Sequence, residues 1–447
     1  MIPVYFLIIV FFIWYAKKDF KKSLILFAAV YSLFNPGMAI RFQPPAITIN
    51  LVLTFFFVVA YYIKYRKTFK DSERSFFQKS FLWMIVSTIV SAIVAILNGD
   101  TSALTQGARV ILSEYVFIFV FWNTCTTKQD LQFFTKCILT VFCVVFAYGI
   151  FEYITNSNPI LDIIRVNIPD AYSDDKLYIS DLENINRDGR ARYQSLFYIT
   201  ILYGISSILF AFYVITIYRN QKDFILKKRF LLLLVLLSFY ACYVSNSKTP
   251  IIAVPILFMP FLLKKTYLFL LWILLPIILV HPEMFNNVIG NVVKLEAFDV
   301  NNNDFSDGSN IAMRLRQLNI SFTAFLNAPI WGNGLKYSSY LASTAKGAEL
   351  LGAESCWFKL LIEQGAFGLI AFVYNIHTFV KNGFEISKSD GRSLGFFALG
   401  FFVIVSITDI GYSLFYVLFI AMYKILRFNN ANLICYDYTF TCSNFNK

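Results

Sequence analysis

Of the 447 residues, 58% are hydrophobic and only 15% are charged, against about a quarter charged in soluble globular chains, which excludes a water-soluble domain. Lys and Arg outnumber Asp and Glu by 39 to 27, a formal net charge of +12; in a membrane protein such an excess reflects cytoplasmic loops rather than a nucleic-acid surface. Two histidines, His281 and His377, exclude a multi-histidine metal centre, and seven cysteines without a C-x-x-C pair indicate neither a zinc site nor a disulfide framework.

A spanning helix needs about 20 mostly apolar residues. Apolar stretches lie near 2–16, 23–40, 46–63, 80–97, 105–124, 132–154, 193–217, 230–245, 249–263, 266–281, 355–380, 393–409 and 411–427. They predict an all-α, polytopic helix bundle of about 12–13 spans, read as a single membrane unit over residues 1–447. The first stretch has no basic n-region and no A-x-A cleavage site, so it is expected to be retained.

Loop charges orient the bundle. Lys17, Lys18, Lys21 and Lys22 follow the first stretch, and Lys64, Arg66, Lys67, Lys70, Arg74 and Lys79 the third. Arg219, Lys222, Lys227, Lys228 and Arg229 follow the seventh, Lys264 and Lys265 the ninth, and Lys381, Lys388 and Arg392 the eleventh. Strict alternation puts all of them on one side, which is therefore expected to be cytoplasmic, with the amino terminus outside and the carboxy terminus inside, or with both ends inside where one short stretch does not span. The opposite side carries two large loops, 155–192 and 282–353, both of balanced charge. Loops longer than about 15 residues are uncommon unless functional or disordered, so function is expected on this outer face.

Within the fifth stretch, Arg109 and Glu114 are intramembrane charges, expected to meet neighbours in the bundle interior. The first outer loop ends in Gly189-Arg190-Ala191-Arg192-Tyr193. A guanidinium forks onto two oxygens and suits a phosphate or diphosphate; interfacial snorkelling is the competing reading. Ser245-Asn246-Ser247-Lys248-Thr249-Pro250 forms a short outward turn, with Pro250 suited to the first turn of the next helix. Lys248 either approaches an anion or simply caps the hairpin.

In the second outer loop, apolar residues recur at helical spacing at Leu315, Leu318, Phe322 and Phe325/Leu326. That face is expected to rest on the bundle or the membrane interface. Arg314 and Arg316 flank it, as phosphate ligands or as head-group-facing charges. Pro329-Ile330-Trp331-Gly332-Asn333-Gly334 follows. A lone G-x-G is weak as a nucleotide signal, and its glycines more readily serve positive φ or close backbone approach. Glu354 opens the eleventh stretch. A carboxylate there is favoured by the helix dipole, and at the mouth of a membrane cavity it can also act as a general base.

Taken in order, these motifs resemble the O-antigen polymerase and O-antigen ligase superfamily of bacterial envelope glycosyltransferases. The landmarks are Arg192 with Phe197; Ser247-Lys248; an Arg314-initiated amphipathic helix closing on Pro329, Gly332 and Gly334; and Glu354-Ser355 followed by Leu360, Leu361, Gly365 and Gly368. They cover about 190–370, while residues 1–180 agree in hydropathy alone. Ligases of the superfamily carry a His where this chain has Glu354, which favours a Wzy-type polymerase, and Lys248 stands where an Arg is usual.

The resemblance implies transfer of a polyprenyl-diphosphate-linked glycan en bloc onto a lipid-linked repeat unit at the periplasmic face of the bacterial inner membrane. It implies Arg192, Arg314 and Lys248 at the diphosphate, with Arg190 and Arg316 as substitutes, and Glu354 as base. It requires no metal and no cofactor. The implied partners are the lipid-linked oligosaccharides, the bilayer, and a chain-length regulator and flippase of the same pathway, with no nucleic acid. The alternatives are an O-antigen ligase joining polymer to lipid A-core, or a lipid-linked oligosaccharide flippase. A flippase would line a central path with charge and lack long outer loops. A membrane O-acyltransferase would need a central histidine, which is missing.

Overall fold

The computed structural model describes residues 2–34, 38–41, 47–68, 74–166, 186–187, 190–197, 199–220, 227–262, 311–344, 350, 355–390, 392–408 and 411–443. Its helices are α1 (Ile2–Lys18), α2 (Phe20–Val30), α3 (Ile49–Ala60), α4 (Gln78–Leu97), α5 (Ser102–Val110), α6 (Phe117–Thr124), α7 (Lys128–Thr155), α8 (Pro159–Val166), α9 (Thr200–Asn220), α10 (Lys228–Val244), α11 (Lys248–Leu262), α12 (Ile311–Asn327), α13 (Tyr337–Ser343), α14 (Cys356–Ile386), α15 (Ser393–Ile407) and α16 (Ser413–Ser443). Among the described residues, strands are confined to two short antiparallel pairs, Ala39–Arg41 with Ile47–Thr48 and Asn186–Arg187 with Arg190–Ala191. The chain is an all-α helical membrane protein.

Five described helices are long and apolar enough to cross a bilayer: α4, α5 continued through α6 (Ser102–Thr124), α7, α9 and α14, at 20 to 31 residues. At 1.5 Å per residue, the shortest of these reaches about 30 Å. The run Ile49–Tyr65 and α15 are shorter apolar helices. The stretches expected at 80–97, 105–124, 132–154 and 355–380 therefore fall on long helices.

Two stretches differ. That at 23–40 leaves helical geometry after the 3₁₀ turn Tyr31–Leu33, just before Asn35-Pro36-Gly37, a turn-forming sequence. That at 193–217 begins as a non-helical segment, and its helix starts only at Thr200. The stretch at 266–281 lies outside the described residues.

Helix α9 is the central element. Of its spanning window 83% is buried, against 33–44% in the other four. Helix α4 turns Leu82, Trp83, Ile89, Ile93 and Leu97 outward and places Ser80, Ser87, Thr88, Ser91 and Ala95 inward, whereas α7 buries large apolar side chains such as Phe134, Ile138 and Phe142. Lipid is as apolar as leucine, so helices in a bilayer associate through close packing of small residues and interhelical hydrogen bonds. Ser80 Oγ donates to Asn375 Oδ1 at 3.1 Å and Ser87 Oγ to Gln364 Oε1 at 3.0 Å, joining α4 to α14. Asn375 then donates to the Tyr416 hydroxyl at 2.8 Å, joining α14 to α16.

Glu114 and Lys424, charges within the bundle, have partners of the same kind. Glu114 lies in a π-helical turn, Ile111–Val116, between α5 and α6. Its Oε2 accepts from the Tyr412 amide at 3.2 Å and the Ser413 hydroxyl at 2.9 Å, which places a carboxylate on the positive end of α16. Lys424 Nζ donates to the Trp122 and Cys125 carbonyls at 2.6 and 2.8 Å, closing the carboxy end of α6.

The two ends of the bundle differ in chemistry. At one end, Lys21 pairs with Asp130 at 2.5 Å and Arg219 with Asp390 at 2.9 Å, beside the lysine-rich connections. Helix α7 starts at that end with a capping box, Thr127 accepting from the Asp130 amide and Asp130 from the Thr127 amide. It stops at the opposite end on Asn156, whose φ of 50° is left-handed. That opposite end holds the candidate site.

Candidate functional site

The segment 190–197 crosses the far end of the bundle between α7 and α9. Its conformation is set by Glu152, buried on the last turn of α7. Glu152 Oε2 accepts from the Ser195 amide at 2.6 Å and from the Gln194 amide at 3.2 Å. Its Oε1 accepts from Asn158 Nδ2 at 2.8 Å, and the same Nδ2 donates to the Ser195 carbonyl at 2.9 Å. Ser195 has φ 54° and donates its hydroxyl to the Val145 carbonyl at 2.6 Å. These bonds take the Gln194 and Ser195 amides out of any helix, which is why α9 begins later than the hydropathy suggests. Phe197, the aromatic of the first landmark, is buried against Phe142 and Tyr203.

This segment presents Arg192 to the turn between α10 and α11. Arg192 Nη2 donates to Ser247 Oγ at 3.2 Å, and the Tyr193 amide donates to the Val244 carbonyl at 3.2 Å. Ser247 Oγ lies 3.5 Å from Thr200 Oγ1 at the start of α9. Lys248, the first residue of α11, is next in sequence; its side chain lies outside the description, but its backbone sits on the turn that meets Arg192. Pro250 occupies the first turn of α11, as its fixed φ favours. Gly204 allows α9 to lie against it, since a Cβ there would stand 2.6 Å from Pro250 Cγ and 2.7 Å from Ser245 Oγ. The first two landmarks, 55 residues apart, thus meet in a hydrogen bond.

From there polar contacts lead to the fourth landmark. Thr249 Oγ1 lies 3.0 Å from Thr408 Oγ1, just past α15, and Trp357 Nε1 on α14 donates to Ser406 Oγ at 2.5 Å. The start of α14 therefore belongs to the same end of the bundle as Arg192 and the Ser247 turn. Ser355, preceding α14, is buried. Glu354 lies outside the described residues. Arg190 sits on the short strand Arg190–Ala191, its backbone opposite Arg187.

The third landmark packs on α14. Along α12, Gln317, Ser321 and Ala324 are buried, while Leu315, Leu318, Phe322 and Leu326 are exposed. Of the two expectations for the apolar stripe, the structure selects the outward one: the polar and small face turns inward, as on α4. Arg314, half-buried, is one turn before Gln317 on that inward face; Arg316 is half-buried as well.

The glycine run that follows interlocks with a kink in α14. Gly365 has φ 61° and ψ −155° inside the helix. Four hydrogen bonds join the run to the backbone around it: the Asn333 and Gly334 amides donate to the Ile362 and Glu363 carbonyls at 2.9 and 3.1 Å, and the Ala366 and Phe367 amides donate to Pro329 and Ile330 at 2.9 and 3.1 Å. Gly332 and Gly334 have φ of 73° and 102°. A Cβ on Gly334 would lie 2.6 Å from the Ala95 nitrogen and one on Gly365 2.6 Å from the Gly332 nitrogen. Positive φ and close approach, not a phosphate cradle, account for these glycines. Ser91 Oγ reaches the Glu363 carbonyl at 2.7 Å, Asn98 Nδ2 the Asn333 carbonyl at 3.1 Å, and Ser338 donates to the buried Glu363 carboxylate.

Residues 233–373 match the family model described as O-antigen ligase. The matched residues run from α10 into α14. They contain the Ser247-Lys248 turn, α12 with Arg314 and Arg316, the glycine run and the start of α14; Arg190 and Arg192 lie upstream. No curated protein matches the chain. The family match supports placing the chain in the O-antigen ligase and polymerase superfamily, with a role in assembling surface polysaccharide.

Proposed function

We propose that this protein is a membrane polysaccharide polymerase that joins polyprenyl-diphosphate-linked oligosaccharide repeat units at the periplasmic face of a bacterial inner membrane. The observation that carries the reading is the contact of Arg192 with the Ser247-Lys248 turn, a turn inside the region that matches the O-antigen ligase family. It brings a permanent cation beside a second cationic position, at the end of the bundle away from the lysine-rich loops. The loops at that end, 155–192 and 282–353, carry the acceptor-facing residues in this scheme.

In the reaction proposed, the bond between the anomeric carbon of the donor chain and its diphosphate oxygen breaks. The acceptor hydroxyl oxygen forms the new glycosidic bond, its proton passes to Glu354, and polyprenyl diphosphate leaves. Arg192, Arg314 and Lys248, with Arg190 and Arg316 as substitutes, neutralise the charge developing on the diphosphate. An arginine fork matches two phosphate oxygens and an ammonium acts as a point charge, so Arg192 and Arg314 carry the larger share. A chain-length regulator and a flippase of the same pathway are the proposed protein partners.

A ligase is the second reading, favoured by the description of the matched family; Glu354 in place of a histidine favours polymerase. The lipopolysaccharide banding of a deletion strain separates them. Loss of the ladder with one repeat retained on the core supports polymerase, and a core bare of any repeat supports ligase or flippase.

A further inference from the structure

Nothing in the proposed chemistry uses Glu152, yet it is a buried carboxylate, 6% exposed, at the end of α7 where the cationic segment crosses. Burying an ionised carboxylate is costly unless donors surround it, and here three do: the Gln194 amide, the Ser195 amide and Asn158 Nδ2. Two successive backbone amides converging on one carboxylate oxygen hold the chain more tightly than a single neutral bond would. They hold it in a conformation a serine rarely adopts, since Ser195 has φ 54°. A non-glycine residue in that region is strained and persists only where its surroundings over-determine it. Glu152, Asn158 and the Val145 carbonyl supply that constraint.

The strained residue lies three positions after Arg192. On the near side of it, the Tyr193 amide is fixed to the Val244 carbonyl at the end of α10. Arg192 thus directly precedes three anchored amides, one held by α10 and two by α7, and its guanidinium meets Ser247 on the turn that leaves α10. We propose that Glu152 is a positioning residue, which fixes the Arg192 guanidinium at the Ser247-Lys248 turn by holding the two amides that follow Tyr193. The inference rests on the reading of Arg192 as a diphosphate ligand. A charged group displaced by about 1 Å can lose on the order of a hundredfold in rate, so a rigid seat for a cation on a non-helical segment has a functional consequence.

The test uses the full chain purified in lipid nanodiscs and two independent readouts. The first is amide hydrogen exchange of the peptide covering 190–197. Glu152→Gln keeps one oxygen for the two N–H donors but removes the charge that strengthens both bonds and turns an NH2 toward the donor Asn158 Nδ2, so it should speed exchange there on the order of tenfold or more, with the rest of α7 still protected. Asn158→Ala, which removes one of the three donors, should do the same to a smaller extent and serves if Glu152→Gln does not fold. The second is polymer synthesis from lipid-linked repeats, run as a double-mutant cycle with Arg192→Lys. Glu152→Gln should lower turnover by about a hundredfold in the parent and add nothing further in the Arg192→Lys background.

Unchanged exchange at 190–197 overturns the clamp. Losses that multiply in the double variant show Glu152 acting elsewhere and overturn the positioning role. If exchange rises as expected while Arg192→Lys and Arg192→Ala keep full activity, the reading of Arg192 has failed, and the positioning role falls with it although the clamp is real.

Discussion

A guanidinium and an ammonium carry the same charge but differ in what they hold, and the residue-scale predictions follow from that difference. Arg192→Ala and Arg314→Ala should each abolish or shorten polymer at unchanged protein level, and lysine at either position should restore only part of it. Normal ladders from both alanine variants would return these arginines to interfacial snorkelling. Glu354→Gln keeps shape and hydrogen bonding but cannot take a proton, so turnover should fall by roughly 10²–10⁴-fold if Glu354 is the base. If it only caps the helix, the change should cost about 0.3–1 kcal/mol of stability and leave synthesis near normal. The arginines were legible in the sequence because permanent charges stand out at the edge of an apolar stretch. Glu152 was not: its amide partners lie 42 and 43 residues downstream, and no local pattern connects them. An isolated acid inside a spanning stretch is itself a signal, since such charges are functional candidates by default.

At the scale of elements, the kink of α14 and the glycine run behave as one joint. Gly365→Ala would put a Cβ 2.6 Å from the Gly332 nitrogen and 2.8 Å from the Ile330 carbonyl, at a φ of 61°. Neither backbone can retreat without breaking the bonds to Ala366 and Phe367, so the variant should lose well over the ~1–3 kcal/mol of backbone strain alone. Gly99 is the matched comparison, with φ 95° and open space around its missing Cβ; Gly99→Ala should show only the strain. Thermal unfolding midpoints in detergent, monitored by size-exclusion recovery, would rank the two, and equal losses would contradict the joint. The spacing of these glycines was readable, but not their partner, because a G-x-G fits a ligand loop and a close packing contact equally well. The direction of α12 was ambiguous for a related reason. Inside and outside are both apolar at a membrane, so the period of Leu315, Leu318, Phe322 and Leu326 marks a helix without saying which face looks in. The buried Gln317 and Ser321 answer that.

For the whole molecule, hydropathy located the long helices well and failed where the backbone leaves the helix, at the Tyr31–Leu33 turn and at Gln194–Ser195, whose amides bond Glu152. The alternation of basic loops predicts that reporter fusions after Lys70, Lys228 and Lys388 are cytoplasmic and that fusions near Asp175 and Asp304 are periplasmic. A cytoplasmic signal at Asp304 would put the lipid-linked substrate on the wrong side of the membrane. The contacts agree with a two-ended bundle, with Lys21–Asp130 and Arg219–Asp390 at one end and Arg192–Ser247 at the other. If a cationic site at this second end joins lipid-linked repeats to one another, reconstitution should reveal it. Purified protein in proteoliposomes would be given polyprenyl-diphosphate-linked repeat units, with and without lipid A-core. Such a site should give a ladder of lipid-linked polymer from repeats alone, lost in Arg192→Ala at equal protein level. Transfer that occurs only when lipid A-core is present, with no lipid-linked polymer formed in its absence, would contradict it.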